Sequence, residues 1–142
     1  MTHEREIAED ARAQDRLGDA YVELLSIVNR TADYAGRVRP MLDTDPPTPR
    51  PPLPSTDEQS RADALVMAYG SRAVEALFEE WRQSVWAIIQ ADQMIGIGME
   101  WGKDSGISQF EVRRKLEEEL RPAQRAARKA LSEAIGAELR RA

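Results

Sequence analysis

Residues 74–99 read VEALFEEWRQSVWAIIQADQMIGIGM, and the spacing of the apolar side chains in this stretch decides the fold class. Val74, Phe78, Trp81, Val85, Ile88, Asp92, Ile95 and Met99 succeed one another at alternating steps of four and three. That rhythm holds one stripe of a helix against a neighbouring helix, as in the a/d seam of a coiled coil. A half-buried strand would need alternation in twos, which the stretch lacks. The spacing predicts a central helix over 71–95. Gly96, Gly98, Gly102 and Gly106 then predict a Gly-rich loop over 96–107.

Working outward toward the N-terminus, Tyr69-Gly70-Ser71 reads as a helix stop followed by a cap for the next helix. A short helix over 55–70 precedes it. Its start is marked by Ser55 with Glu58, or Thr56 with Gln59, either pair forming a capping box. Seven of the eight prolines lie between Pro40 and Pro54, so 40–54 is a Pro-rich linker. Its run from Pro46 to Pro54 would be extended polyproline II, about 28 Å for nine residues at ~3.1 Å each. Such a stiff segment serves as a crossover along the bundle. Before it, Leu17, Tyr21, Leu24, Val28, Ala35 and Val38 share one face of a long helix over 1–39, closed by Pro40. Its first dozen residues are polar and read as fraying or as an extension facing a partner.

Toward the C-terminus, Ser108 three residues ahead of Glu111, with Ile107 five ahead of Val112, signals the start of a helix over 108–141. Leu116, Leu120, Ala123, Ala127, Leu131, Ala134 and Leu139 trace its apolar face. Pro122 should kink or split it. The chain is therefore expected to be all-α: one antiparallel helical bundle with coiled-coil-like packing and a Pro-rich crossover linker.

Composition excludes several kinds of chemistry. Without cysteine there is no disulfide, thiolate ligand or cysteine nucleophile. The one histidine, His3, stands in the polar N-terminus, where neither a triad nor a histidine metal site is expected. The clusters Glu79-Glu80 and Glu117-Glu118-Glu119 place neighbours about 100° apart on a helix, so they read as solvated faces. Gly96-x-Gly98-x-x-x-Gly102 has neither the spacing nor the preceding strand of a phosphate loop. The net charge of −5 argues against nucleic acid, although the tail from Arg121 onward is basic. No apolar run reaches the ~18 residues of a membrane span. No leader is evident, so a cytoplasmic protein that is not an enzyme, with no cofactor and no metal, is expected.

Short segments carry a likeness to known sequences. They are Tyr21-Val22, Arg37-Val38-Arg39-Pro40 ahead of the Pro-rich spacer, Ala68-Tyr69-Gly70-Ser71 with Val74, Leu77 and Trp81, and Ala134-Ile135-Gly136-Ala137-Glu138-Leu139-Arg140. Together the chain resembles a broad set of actinobacterial all-helical proteins without assigned activity, some of which carry transmembrane helices. The resemblance implies an all-helical fold and transfers no activity, cofactor or functional residue.

Two features of the central stretch point to function. Asp92 interrupts an apolar seam, and an ionised carboxylate buried without a partner costs several kcal/mol. It must pair with an Arg or Tyr of another helix, face water, or serve a ligand. Secondly, Trp86, Ile89, Met94 and Ile97 spread away from the seam, more apolar circumference than one small core absorbs. They are the candidate interface of a helix-mediated protein–protein interaction or self-association module. The alternatives are attachment to a membrane surface through Trp86–Trp101, or a small-ligand site in the bundle interior near Asp92.

Overall fold

The computed structural model describes residues 2–40 and 49–141; most of the Pro-rich linker, 41–48, lies outside the described residues. The described chain folds as α1 (Thr2–Arg37), α2 (Thr56–Tyr69), α3 (Arg72–Trp101), α4 (Gln109–Lys115) and α5 (Arg121–Arg141). Among the described residues there is no strand, and the protein is an all-α helical bundle.

Cross-helix pairs fix the topology. Arg61 reaches Glu23 at 2.7 Å and Arg30 reaches Glu58 at 3.2 Å, so α2 returns antiparallel to α1. Arg128 donates to Asn29 at 3.0 Å, and Arg121 to the Ala35 carbonyl at 2.7 Å, so α5 also runs against α1. The Trp81 indole donates to Gln124 at 3.2 Å while Ser71 meets Glu138, which sets α3 antiparallel to α5. Thus α1 and α3 point one way, α2 and α5 the other.

The seam packs as its spacing predicts. Val74, Phe78, Trp81, Val85, Ile88, Asp92 and Ile95 are all buried. One group of core residues joins Tyr21, Leu24 and Val28 to Phe78, Trp81, Leu131 and Ile135; a second joins Tyr34, Val38, Ile88, Ile95 and Leu116. Each large side chain buried this way contributes about 1.5–3 kcal/mol. Met99 departs from the seam: it is exposed, with its sulfur beside the guanidiniums of Arg39 and Arg113. None of residues 2–16 is buried, so the N-terminal turns of α1 extend past the core as a solvated helix.

The capping signals act where the sequence puts them. The hydroxyls of Ser55, Ser71 and Ser108 accept from the backbone N–H of Glu58, Val74 and Glu111, at 3.1, 3.1 and 3.4 Å. Gly70 ends α2 for a reason other than left-handed freedom, since its φ is −70°. Its N–H bonds the Val66 carbonyl so closely that an added Cβ would lie 2.6 Å from that oxygen.

One sequence expectation is corrected here. The Gly-rich loop of 96–107 is mostly helix, because α3 continues through Gly96 and Gly98 to Trp101 before a single 3-10 turn, Gly102–Ser105. A helical glycine costs about 1 kcal/mol relative to alanine. Here that cost is offset by close approach: Gly98 is the floor on which the Gln109 side chain of α4 rests. From Gln109 to Arg141 the chain stays helical, with one irregularity just ahead of Pro122. A π turn, Leu116–Leu120, separates α4 from α5, and the Arg121 N–H bonds back to Leu116. The wider turn places Pro122 at the second residue of α5, where a missing N–H and the ring are accommodated.

Gly70→Ala should lower stability by about 1–3 kcal/mol, the usual cost of forcing atoms into a filled site. Urea unfolding followed by circular dichroism measures this, and an unchanged midpoint would contradict the close approach to Val66.

Candidate functional site

The two features singled out in the central stretch lie on opposite sides of α3. On the inner side Asp92 is 2% exposed. The Tyr34 hydroxyl donates to its Oδ2 at 2.9 Å and the Arg39 Nε to its Oδ1 at 2.7 Å. The Arg50 guanidinium, from the segment ahead of α2, also reaches Oδ2. Both oxygens of this buried carboxylate are thus engaged by charged or phenolic donors. Asp92 therefore pairs with an Arg and a Tyr of α1 and its C-terminal end, and also pins the Pro-rich segment to the bundle.

The partners of Asp92 are not equivalent. The Arg39 side chain is 23% exposed, that of Arg50 59%. Arg39 carries a left-handed backbone, φ 49°, which a non-glycine residue adopts at a cost of about 1–2 kcal/mol. Two contacts hold it there. Its side chain is fixed on Asp92, and its carbonyl accepts from Arg121 Nη2 at 3.0 Å.

Arg121 was not singled out by its sequence position, yet it is only 4% exposed. Its guanidinium donates to the carbonyls of Ala35 (2.7 Å), Val38 and Arg39, while Nε meets Glu117 at 2.8 Å. These carbonyls are the unpaired acceptors at the end of α1, where a cation is also favoured by the helix dipole. The signal available in the sequence was the Glu117–Arg121 spacing, which reads equally as a surface pair.

An open cleft of about 390 Å³ borders Asp92, lined by Tyr34, Arg50, Pro51, Leu53, Ile89 and Gln93. Among the described residues, no histidine or second carboxylate lines it. Among the described residues no three His, Asp or Glu side chains gather as a metal site. His3 is exposed in the first turn of α1.

The outer side of α3 is different in kind. Trp86 is 55% exposed, Met94 43%, Ile97 46% and Trp101 63%. At 100° per residue these four fall within an arc of about 80°, centred roughly opposite the buried seam. They run about 22 Å along the helix. Ile89 is the exception among the candidate interface residues. It points to the edge of the core, packed against both groups of buried residues and facing Leu53 across the cleft. Its rotation places it beside Val85, away from Trp86. Trp101 joins the stripe only because α3 passes through the glycines.

At the other end of the bundle, the Tyr21 hydroxyl and the Ser71 hydroxyl both meet the Glu138 carboxylate. Burial, then the hydrogen bond and the charge of Glu138, push the Tyr21 phenol up to about 12. Burial also raises Tyr34, against the opposing pull of Arg50 and Arg39.

Asp92→Ala should cost about 3 kcal/mol, since it strands Arg39 and Tyr34 without their acceptor. Arg50→Ala, at a largely exposed pair, should cost only about 0.2–1 kcal/mol. Denaturant titration of both variants gives the ratio, and comparable losses would refute the inequality of the two arginines. The tyrosines predict an alkaline limit. A phenol that ionises near 10 when unfolded but higher when folded gives stability that is whole below pH 10. That stability is lost as pH rises from about 10 toward 12, and Tyr21→Phe should flatten the decline. Thermal unfolding at stepped pH measures it.

No protein-family model, curated protein or solved structure matches the chain.

Proposed function

We propose that this chain is a helix-mediated protein–protein interaction module, and that it associates with itself through the outer face of α3. The observation that carries the reading is the line Trp86, Met94, Ile97 and Trp101, interrupted by Gln90 and exposed on a helix whose opposite face is packed. Helices of a monomeric bundle place polar groups there. From Gln83 to Trp101 the line includes no charged residue.

Size supports the same reading. The four side chains leave on the order of 400 Å² of apolar area in water. That is within the range of the largest patch on a typical monomer, a patch that is often functional. As the apolar centre of an interface it would need a polar border to reach about 800 Å² per partner. Gln83 and Gln93, with Arg82 and Glu100 at the edges, supply such a border, all of them exposed, and Gln90 lies within the stripe. Two tryptophans in the centre fit the usual makeup of binding hot spots.

The two other readings are less well supported. A membrane-surface helix carries a basic rim, whereas Glu79, Glu100 and Asp104 here balance or outnumber Arg82 and Lys103. No described helix is long and apolar enough to cross a membrane. A ligand site at Asp92 would have to displace Tyr34 and two arginines that already occupy the carboxylate.

Sedimentation velocity across the micromolar range should give a mass twice that of the chain, with tryptophan emission shifting to the blue as the dimer forms. Ile97→Glu should leave a monomer whose unfolding midpoint no longer rises with concentration, as that of an associating wild-type chain does. A wild-type chain that stays monomeric at all concentrations overturns the proposal.

A further inference from the structure

We infer that Arg39 and Arg113, which converge on the Met99 sulfur, form a binding site for a phosphate-type oxyanion. Arg39 Nη1 lies 3.5 Å from that sulfur and Arg113 Nη2 lies 3.8 Å from it. The two charged nitrogens are therefore no more than about 7 Å apart, close enough for like charges to repel. A thioether is a weak acceptor and brings no charge to offset that repulsion. An oxyanion taking one hydrogen bond of about 2.8 Å from each guanidinium spans a gap of this size.

Arg39 is held in place from three directions. Its Nε donates to Asp92, its Nη2 lies over Gly96, and its carbonyl is tied to Arg121. A Cβ added at Gly96 would stand 3.2 Å from Nη2, so glycine within α3 makes room for the guanidinium. Among the described residues Arg39 is also the one non-glycine residue with a positive φ. Backbone strain of this kind gathers at ligand clamps, where it fixes a group in advance of binding. Asp92 takes only Nε, which leaves Nη1 turned toward Met99 and Arg113.

Charge matches a dianion. Arg39, Arg50 and Arg113 stand against the single carboxylate of Asp92, an excess of two positive charges. Among the described residues neither Arg113 nor Glu100 joins an ion pair. Arg121 is balanced by Glu117 and caps the carbonyls at the end of α1, which would otherwise oppose an anion. The approach is open, since Met99 is 62% exposed. A phosphomonoester carries about −1.5 to −2 at neutral pH on three acceptor oxygens, which suits two guanidiniums. The ligand is a soluble phosphate or phosphomonoester: Glu100, Asp104 and Glu111 flank the pair in sequence, unlike the uniformly basic clusters that bind anionic membranes.

Calorimetric titration with inorganic phosphate at constant ionic strength should show one saturable site, and phosphate should raise the thermal midpoint. Arg113 belongs to α4, which has no buried residue. Arg113→Gln should therefore keep its midpoint in chloride, yet bind phosphate at least about tenfold more weakly, the loss of one charged hydrogen bond. Arg113→Lys should recover part of that loss. Met99→Leu should bind within about twofold of wild type, because the sulfur is not what holds the anion.

A wild-type chain with no saturable phosphate binding up to about 10 mM overturns the site, as does Arg113→Gln binding as wild type does. Co-sedimentation with phosphatidic acid vesicles by a chain that ignores soluble phosphate overturns the soluble ligand.

Discussion

The guanidinium of Arg121 sits out of water at the end of α1 and supplies the hydrogen bonds that the last turn of that helix cannot make for itself. A helix end leaves unpaired carbonyls, and burying them unsatisfied costs about 1–3 kcal/mol each. With Arg121 in place, α1 can end inside the bundle against α5. The backbone can then turn through the left-handed Arg39, and the Arg39 side chain can reach Asp92. From there Arg50 fastens the described part of the Pro-rich segment. One cation thus connects α1, α3, α5 and the crossover. The π turn before it gives the connection its geometry, by placing Arg121 and Pro122 at the start of α5.

This polar joint explains why α3 can be two-sided. Its inner face is spent on α1, α2 and α5, with Asp92 satisfied at the middle of the seam. On its outer face Trp86, Met94, Ile97 and Trp101 are 43–63% exposed. Surface positions free of packing tolerate most residues, and apolar ones gathered in a line expose area that water disfavours. On the inner side the carboxylate that interrupts the seam accepts from Tyr34, Arg39 and Arg50.

Much of this was legible in the residue order, and the exceptions share a cause. The three-and-four rhythm of Val74 to Ile95, the serine caps and Pro40 are local signals, each acting within a turn or two of itself. The glycines after Ile95 carry an equally local signal for a loop, and it was overruled. Gln109, more than ten residues away, rests on Gly98 and makes the helix worth extending. Trp101 is on the outer stripe for that reason alone. Ile89 and Trp86 are both apolar and off the seam, but their rotations differ, and the cleft that Leu53 also lines claims Ile89.

The sequence by itself determined the helices, their inner faces and the need for a partner at Asp92, because helical periodicity, capping and the cost of a buried charge are properties of neighbouring residues. Only the tertiary structure decided which groups met that need, that Arg121 would be buried instead of solvated, and that the glycine-containing stretch would stay helical. Those outcomes depend on which side chains arrive from distant elements, and the desolvation and packing they bring exceed the preferences of any single turn.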